Sequence, residues 1–241
     1  MRRVAIFVEG QSELIFIRNI LFRLIDPAKL SFECITLQRY AKRGVLYPYT
    51  SPEPRVHFLI VNAGNDTSVV SAISERESNL FQRGFIEIIG LRDMYCQAYH
   101  KRSPGIIRKD LSRQFIDNHN NVIQRMSKPD HIHLFFSIME LEAWFLSMYG
   151  IFEKIEPTLT LEHIEGELGY NLREIDPQTA FYRPSNAIRD VLALCGERYT
   201  KSADEIERIT QAIDIDDIRI GFENDRCQSL KDFYEKISEY Q

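Results

Sequence analysis

Acidic side chains follow three predicted strands at the same place, where each strand ends. Glu9 comes directly after the first predicted strand, Asp93 follows the fourth, and Glu140 and Glu142 follow the fifth. Ligands of open α/β sheets bind at the carboxyl ends of the strands, so these acids converge if the strands are parallel neighbours. Clustered carboxylates repel one another, and a hard divalent cation relieves that repulsion. The pattern therefore predicts a site for Mg²⁺ or Mn²⁺.

Each acid also has a structural explanation as a helix cap or a solvated turn residue, but three acids at equivalent positions favour the metal site. Glu13 stands one helical turn after Glu9, where it is either a further ligand or a favourable charge near a helix N-terminus. Glu142 rather than Glu140 is predicted to point inward, because it directly precedes an apolar run. The predicted catalytic residues are Glu9, Asp93 and Glu142, and the predicted metal ligands are these three with Glu13 and Glu140.

Alternating strands and helices are predicted to position these acids. Runs of β-branched and aromatic residues predict strands over 4–8, 32–37, 56–61, 85–91 and 131–138. Apolar spacing predicts helices over 14–24, 67–83 and 108–126. This alternation is typical of an α/β fold with a largely parallel sheet and helices on both faces. The segment 42–55 carries three prolines and is predicted to be a loop.

The strand pattern ends after Trp144. The remaining sequence predicts a helical turn near 161–168 and helices over 184–195, 203–213 and 230–237. Ser202 and Glu205 have the spacing of a capping box at the start of one of these helices. We therefore predict an α/β core over residues 1–150 and a helical C-terminal part over residues 151–241 that packs on it.

Composition narrows the function classes. The chain has 241 residues, 44% of them hydrophobic, and a formal net charge of −5. That charge disfavours binding of nucleic acid through bulk positive charge, although a bound metal ion supplies positive charge locally. The four cysteines form no CxxC pair, which disfavours a zinc site or a disulfide framework. With no apolar run of membrane-spanning length and no signal peptide, a cytoplasmic location without membrane partners is expected.

Two polar segments are candidates for substrate binding. Asn65 and Asp66 lie in a loop of small residues between a predicted strand and helix, where backbone N–H groups can bind phosphate; a helix-capping turn explains them equally well. His100, Lys101 and Arg102 follow the fourth strand, and cations there suit a phosphate. An exposed loop is an equally simple explanation of that second segment.

The strand–Glu–Gly–helix opening and the later strand-end Asp93 resemble the Toprim domain, the catalytic fold shared by topoisomerases, bacterial primases and OLD-type nucleases. Four segments are similar to an uncharacterised Toprim-related branch: Val8-Glu9-Gly10-Gln11-Ser12-Glu13, Glu140-Leu141-Glu142-Ala143-Trp144-Phe145-Leu146, Pro184-Ser185-Asn186-Ala187-Ile188 and Ser229-Leu230-Lys231-Asp232-Phe233. Members of that branch tend to accompany ATPase genes and are linked to anti-phage roles.

The resemblance implies roles for individual residues. Glu9 matches the Toprim glutamate, a general acid/base or metal ligand, and Asp93 matches the first acid of the DxD pair. Tyr95 stands where the second acid of that pair is expected, so a full DxD clamp is absent. Glu142 is the candidate to replace the missing acid in space.

Residues and resemblance together predict a metal-dependent phosphodiesterase, a nuclease-like enzyme that acts on DNA or RNA with Mg²⁺ or Mn²⁺. An ATPase partner protein is implied by the resemblance. The alternative is a non-catalytic regulatory protein of an ATPase system whose acidic site binds a metal or nucleotide, which Tyr95 and the negative net charge favour. A primase-type nucleotidyl transfer is a third, weaker option.

Overall fold

A six-stranded sheet forms the centre of the fold. The computed structural model describes residues 1–37, 46–64 and 68–241. The strands are β1 (Arg2–Val8), β2 (Leu30–Thr36), β3 (Leu46–Thr50), β4 (Val56–Asn62), β5 (Glu87–Asp93) and β6 (Ile132–Ser137), and their order in the sheet is β3-β2-β4-β1-β5-β6. The pairs β1–β4, β1–β5 and β2–β4 are parallel, whereas β3 runs antiparallel to β2. The predicted α/β class with a mostly parallel sheet is therefore confirmed.

Helices connect most of the strands and predominate after the last strand. Before the last strand these are α1 (Gln11–Leu24), α2 (Ser68–Gln82), α3 (Gln97–Arg102) and α4 (Lys109–Ile123). After it the described helices are α5 (Glu142–Ser147), α6 (Gly150–Ile155), α7 (Leu161–Leu168), α8 (Pro177–Ala180), α9 (Pro184–Ala193), α10 (Ala203–Ala212), α11 (Ile215–Gly221) and α12 (Gln228–Ser238). Within the described residues, no helix has both the length and the apolar character needed to cross a membrane.

Strand β1 occupies a central position because its sequence is apolar on both faces. Its residues from Val4 onward are fully buried, as expected for a parallel strand with neighbours on both sides. The register places Val8 opposite Asn62 of β4 and opposite Leu91 of β5. Gly90 of β5 permits close packing, since a Cβ atom there would lie 2.5 Å from the Leu134 side chain.

The prediction of a loop over 42–55 is wrong at β3. Proline lacks a backbone N–H, but an edge strand tolerates it because one side makes no ladder bonds, and β3 is an edge strand. The Tyr49 ring packs 4.8 Å from the Phe22 ring and 5.8 Å from the Phe32 ring, measured between centroids. These aromatic contacts outweigh the turn propensity of the neighbouring prolines.

The chain divides into two compact units, neither continuous in sequence. The sheet unit comprises Met1–Arg92, Asp110–Phe136 and Ile237–Gln241, and the helical unit comprises Asp93–Lys109 and Ser137–Lys236. The division at residue 150 that the sequence suggests stays a prediction.

In the sheet unit, one face of the sheet carries an apolar core that α2 covers. Phe7, Val61, Val69, Ile73 and Ile88 are among its buried members. The apolar positions of α2 are spaced three and four residues apart, so they fall on one side of the helix.

In the helical unit, local signals fix where two helices begin. The predicted capping box is confirmed: Ser202 accepts the Glu205 N–H at 3.3 Å, and the Glu205 carboxylate accepts the Ser202 N–H at 2.8 Å. A second capping box, formed by Asp214 and Asp217, begins α11.

The Trp144 side chain is fully buried and donates from its indole N–H to the Ser229 hydroxyl at 2.8 Å.

Candidate active site

The predicted site residues fall in both compact units. Glu9 and Glu13 belong to the sheet unit, where Glu9 is half-buried and Glu13 is 6% exposed. The helical unit holds Asp93, His100, Lys101, Arg102, Glu140 and Glu142. Asn65 and Asp66 lie outside the described residues. The convergence of Glu9 with Asp93 stays a prediction.

Asp93, the last residue of β5, is held at the end of β6. The Met94 N–H donates to the Ser137 carbonyl at 2.9 Å, and the Tyr95 N–H donates to the Met139 carbonyl at 2.7 Å. The Ser137 hydroxyl donates to Asp93 Oδ1 at 2.5 Å. Asp93 is half-buried, and these hydrogen bonds fix its orientation.

Glu140 and Glu142 are buried carboxylates that neutral donors hold in place. Glu140 is 5% exposed, and its Oε2 accepts the Ser185 N–H at 2.9 Å in the first turn of α9, where N–H groups have no partner within the helix. Glu142 is 2% exposed, and its Oε1 accepts the Tyr199 hydroxyl at 2.7 Å. The prediction that only Glu142 points inward is therefore wrong, because both side chains are buried. The left-handed conformation of Met139, with φ of 69°, turns the chain between β6 and these two acids.

One lysine joins the two glutamates. The Lys201 Nζ lies 2.9 Å from Glu142 Oε1 and 3.5 Å from Glu140 Oε1. Burial acts to lower the pKa of Lys201, but the charges of Glu142 and Glu140, with a smaller contribution from Asp93, outweigh it and hold the pKa above its ordinary value. The ammonium is therefore charged at neutral pH. We call Asp93, Glu140, Glu142 and Lys201 the acid cluster.

Tyr199 fixes the proton arrangement beside the cluster. Burial, followed by the charge of Glu142, raises the pKa of the Tyr199 hydroxyl above its ordinary value. The hydroxyl therefore stays protonated and donates a hydrogen bond to Glu142, which restrains that carboxylate to one orientation.

The acid cluster suits a hard divalent cation by its chemistry. Mg²⁺ prefers oxygen ligands, which the carboxylates supply. Within the residues that the structure describes, no three His, Cys, Asp or Glu side chains form a group that could hold a metal ion. Mg²⁺, however, is usually bound by one or two carboxylates together with water and substrate phosphate. Glu140 and Glu142, which share one ammonium, fit that smaller ligand set.

Arg183 connects the acid cluster to nearby aromatic residues. Its Nη1 lies 3.6 Å from Glu140 Oε1, and its guanidinium carbon lies 3.6 Å from the centroid of the Tyr95 ring. Arg183 directly precedes Pro184, the first residue of α9. His100 lies in the same region, with its ring 6.2 Å from that of Tyr95. His100, Lys101 and Arg102 are all exposed in α3.

The sequence does not reveal which side chains Lys201, Arg183 and Tyr199 contact. Lys201 directly precedes the capping box at Ser202, and Arg183 precedes a helix-starting proline, so each is placed by a recognisable local motif. Their partner Glu140, however, lies more than forty positions earlier in the sequence. Tyr199 is likewise paired through tertiary structure alone. A search for cations beside predicted helix starts could have identified Lys201 and Arg183 as candidate partners of the acids.

Comparison of the chain with models of known protein families, with curated proteins and with solved structures gives no match.

Proposed function

We propose that this protein is a metal-dependent phosphodiesterase that acts on nucleic acid, with the acid cluster as its reaction site. The observation that carries the proposal is the position of Lys201, 2.9 Å from Glu142 and 3.5 Å from Glu140. Two buried carboxylates around one ammonium favour positive charge at that point. Phosphodiester cleavage needs positive charge of this kind to stabilise the phosphate oxygens.

Each residue of the cluster has a proposed role. Glu140 and Glu142 would hold Mg²⁺ or Mn²⁺, which when bound polarises a phosphate and activates water. Lys201, whose side chain is 38% exposed, would contact a phosphate oxygen. Asp93, oriented by Ser137, would accept a proton from the attacking water.

The Toprim resemblance extends this proposal beyond the helical unit. Glu9 remains the predicted general acid/base, and Glu13 a predicted further ligand. The mostly parallel sheet and the position of Glu9 directly after β1 support a Toprim-like fold, with residues 151–241 as its helical lobe. An ATPase partner and a role in anti-phage defence are proposed on the resemblance alone.

Cleavage assays on the full chain test the proposal. Labelled single-stranded DNA, single-stranded RNA and plasmid are incubated with Mg²⁺ or Mn²⁺, and cleavage of at least one is expected. Asp93→Asn should lower the rate by about a hundredfold or more, because it removes the proposed proton acceptor and keeps the side-chain shape. Glu142→Gln should abolish activity.

Glu162→Gln is the matched control, because Glu162 is an exposed acid on α7 of the same unit. Full activity of Glu142→Gln would overturn the proposed role of the acid cluster. Activity that survives Glu9→Gln would remove Glu9 from the mechanism.

A second candidate is a non-catalytic protein that binds a metal ion or a nucleotide and regulates an ATPase. Two observations favour it: Lys201 itself offsets part of the negative charge of the two glutamates, and Tyr95 stands in place of a second DxD acid. A rise in melting temperature with Mn²⁺ that Glu142→Gln removes, without cleavage of any nucleic acid tested, would favour this candidate over the enzyme.

A further inference from the structure

A cluster of aromatic and cationic side chains borders the acid cluster within the helical unit, and the proposed reaction does not use it. The Arg183 guanidinium stacks on the Tyr95 ring at 3.6 Å from its centroid and also donates to the Tyr95 hydroxyl. The Tyr182 ring stands nearly perpendicular to that of Tyr95, at 86° and 5.7 Å. The His100 ring lies 6.2 Å from that of Tyr182. We call Tyr95, Tyr182, Arg183 and His100 the aromatic platform.

The platform is a surface feature. Its tyrosines are partly exposed, His100 is exposed, and the Arg183 side chain is 44% exposed. Tyr99, in contrast, lies in the same segment and is fully buried. Packing of a core therefore explains Tyr99 but not the platform.

Hydrogen bonds hold the platform rigid before any ligand arrives. The Tyr182 hydroxyl donates to the Ser103 carbonyl at 2.8 Å. Because that bond uses its only proton, the His100 Nδ1, at 3.1 Å, must donate to the same hydroxyl. The Ser103 hydroxyl donates to the Ile106 carbonyl at 2.8 Å, and the Ile106 side chain is 64% exposed. A preorganised surface loses little conformational entropy on binding.

Positive charge accompanies these rings although the whole chain is acidic. Lys101 and Arg102 follow His100 in α3, and both are exposed. Arg183 links the platform to the acid cluster, since its Nη1 lies 3.6 Å from Glu140 Oε1. Exposed cations of α3 and the Arg183 link to Glu140 therefore accompany the rings.

We propose that the aromatic platform binds single-stranded nucleic acid, which deepens the proposed function and rests on it. Bases stack on Tyr182 and on the Arg183–Tyr95 pair, while phosphates contact Lys101 and Arg102. Tyrosine rings and guanidinium planes are the surfaces on which unpaired bases stack, and cations beside them follow the phosphate backbone. A duplex cannot bind in this way, because its bases are already stacked on one another. Tyr95, which replaces a metal-binding acid of the Toprim pattern, becomes a substrate-binding residue.

Fluorescence anisotropy tests the proposal without requiring catalysis. A labelled strand of about 16 nucleotides, as DNA or as RNA, is titrated with the full chain in EDTA so that no metal supports cleavage. Tyr182→Ala and Tyr95→Ala should each weaken binding by about tenfold, the equivalent of losing one stacked base. Tyr182→Phe and Tyr95→Phe should weaken binding by only about twofold, because they keep the ring and lose only the hydrogen bonds of the hydroxyl that preorganise it.

Tyr47→Ala is the matched control, since Tyr47 is 49% exposed and carries the Arg18 guanidinium 4.3 Å above its ring in the sheet unit. It should bind normally, and thermal melts confirm that every variant is folded. Unchanged binding by both alanine variants would overturn the platform, as would equal losses in the phenylalanine and alanine variants. Equal affinity for a duplex of the same sequence, or displacement of the strand by polyglutamate at equal charge, would overturn the single-strand assignment.

Binding and cleavage separate the two proposals. Ring-dependent binding without cleavage under any metal supports the platform and removes the phosphodiesterase. Cleavage that needs Glu142 but not the two platform rings supports the phosphodiesterase and removes the platform.

Discussion

Two lysines of the helical unit each share a pair of carboxylates, but in different surroundings. The Lys154 Nζ lies 2.7 Å from Asp214 and 2.5 Å from Asp217; the Asp214 side chain is 55% exposed, whereas that of Asp217 is 4% exposed. Lys201 bridges Glu140 and Glu142, whose side chains are 6% and 2% exposed. Each lysine lies between two acids, but Arg183 also lies 3.6 Å from Glu140, so the clusters differ in solvation and in what else holds the acids.

Helix formation accounts for the Lys154 cluster. The Asp217 N–H donates to Asp214 at 2.9 Å and the Asp214 N–H donates to Asp217 at 2.8 Å, which together form the capping box of α11. The Glu140–Glu142 pair has no such local origin, because its partners come from distant segments. Burying two carboxylates carries a desolvation cost, and groups of this kind concentrate at functional sites. Helix capping therefore explains the Lys154 cluster, whereas no local motif explains the Lys201 cluster, which supports the function proposed for it.

Lys201→Met is expected to have the largest effect on stability. It leaves two buried carboxylates without their ammonium. Removing one partner of a fully buried pair costs about 3–5 kcal/mol, which partial exposure of Lys201 reduces to about 2 kcal/mol. Lys154→Met should cost less, about 1 kcal/mol, because Asp214 is exposed and the buried Asp217 keeps the Asp214 N–H as a donor. Urea denaturation measures both free energies of unfolding, and equal losses would contradict the comparison.

Metal binding sharpens the same comparison. Mn²⁺ can replace the positive charge that Lys201→Met removes, so it is expected to raise the melting temperature of that variant more than that of Lys154→Met. The two variants serve as each other's control, because each removes one lysine shared by two acids. A similar response of both to Mn²⁺ would deny the Lys201 cluster any particular affinity for a divalent cation.

Tyr199→Phe is expected to have the next largest effect. It removes a hydroxyl that donates to the buried Glu142 at 2.7 Å; because Lys201 still partners that carboxylate, the expected cost is about 1–2 kcal/mol. Tyr170→Phe is the control, because the buried Tyr170 hydroxyl has no hydrogen-bond partner in the described part of the chain. That variant should be neutral or slightly more stable. Thermal denaturation decides, and a neutral Tyr199→Phe would mean that the hydroxyl does not stabilise the cluster.

The sequence predicts what local patterns determine. The apolar run of β1 and the apolar stripe of α1 lie within single segments, so the α/β class follows from such patterns. The ends of the strands follow only approximately: the strand predicted over 85–91 is Glu87–Asp93, which includes Asp93. The capping box at Ser202 is equally local. Lys201 and Tyr199 acquire their partners only when distant segments pack together, and no spacing rule encodes that pairing. The sequence did not indicate strand β3, because its proline predicts a loop whereas an edge strand tolerates proline.

The smallest predicted effect concerns acid sensitivity at the Lys154 cluster. The hydrogen bond from Lys154, followed by that from the Asp217 N–H, lowers the pKa of Asp214 from 3.8 to about 2. A carboxyl whose pKa is lower in the folded state contributes stability that is complete above its unfolded pKa and is lost as pH falls through the folded value. Because Asp214 is more than half exposed, that contribution is about 0.5–1 kcal/mol.

Asp214→Asn isolates this contribution, because asparagine keeps the capping acceptor and loses only the charge. Burial raises the pKa of the neighbouring Asp217, so Asp217 has the opposite pH dependence, but it is present in both proteins and cancels in the comparison to first order. The free energies of unfolding of Asp214→Asn and the unaltered protein should differ at about pH 5 and converge by about pH 2. A difference that does not change with pH would show that the Asp214 carboxylate acts only as a helix cap. The charge of the Lys154 cluster would then contribute nothing to stability, unlike the charge expected to matter in the Lys201 cluster.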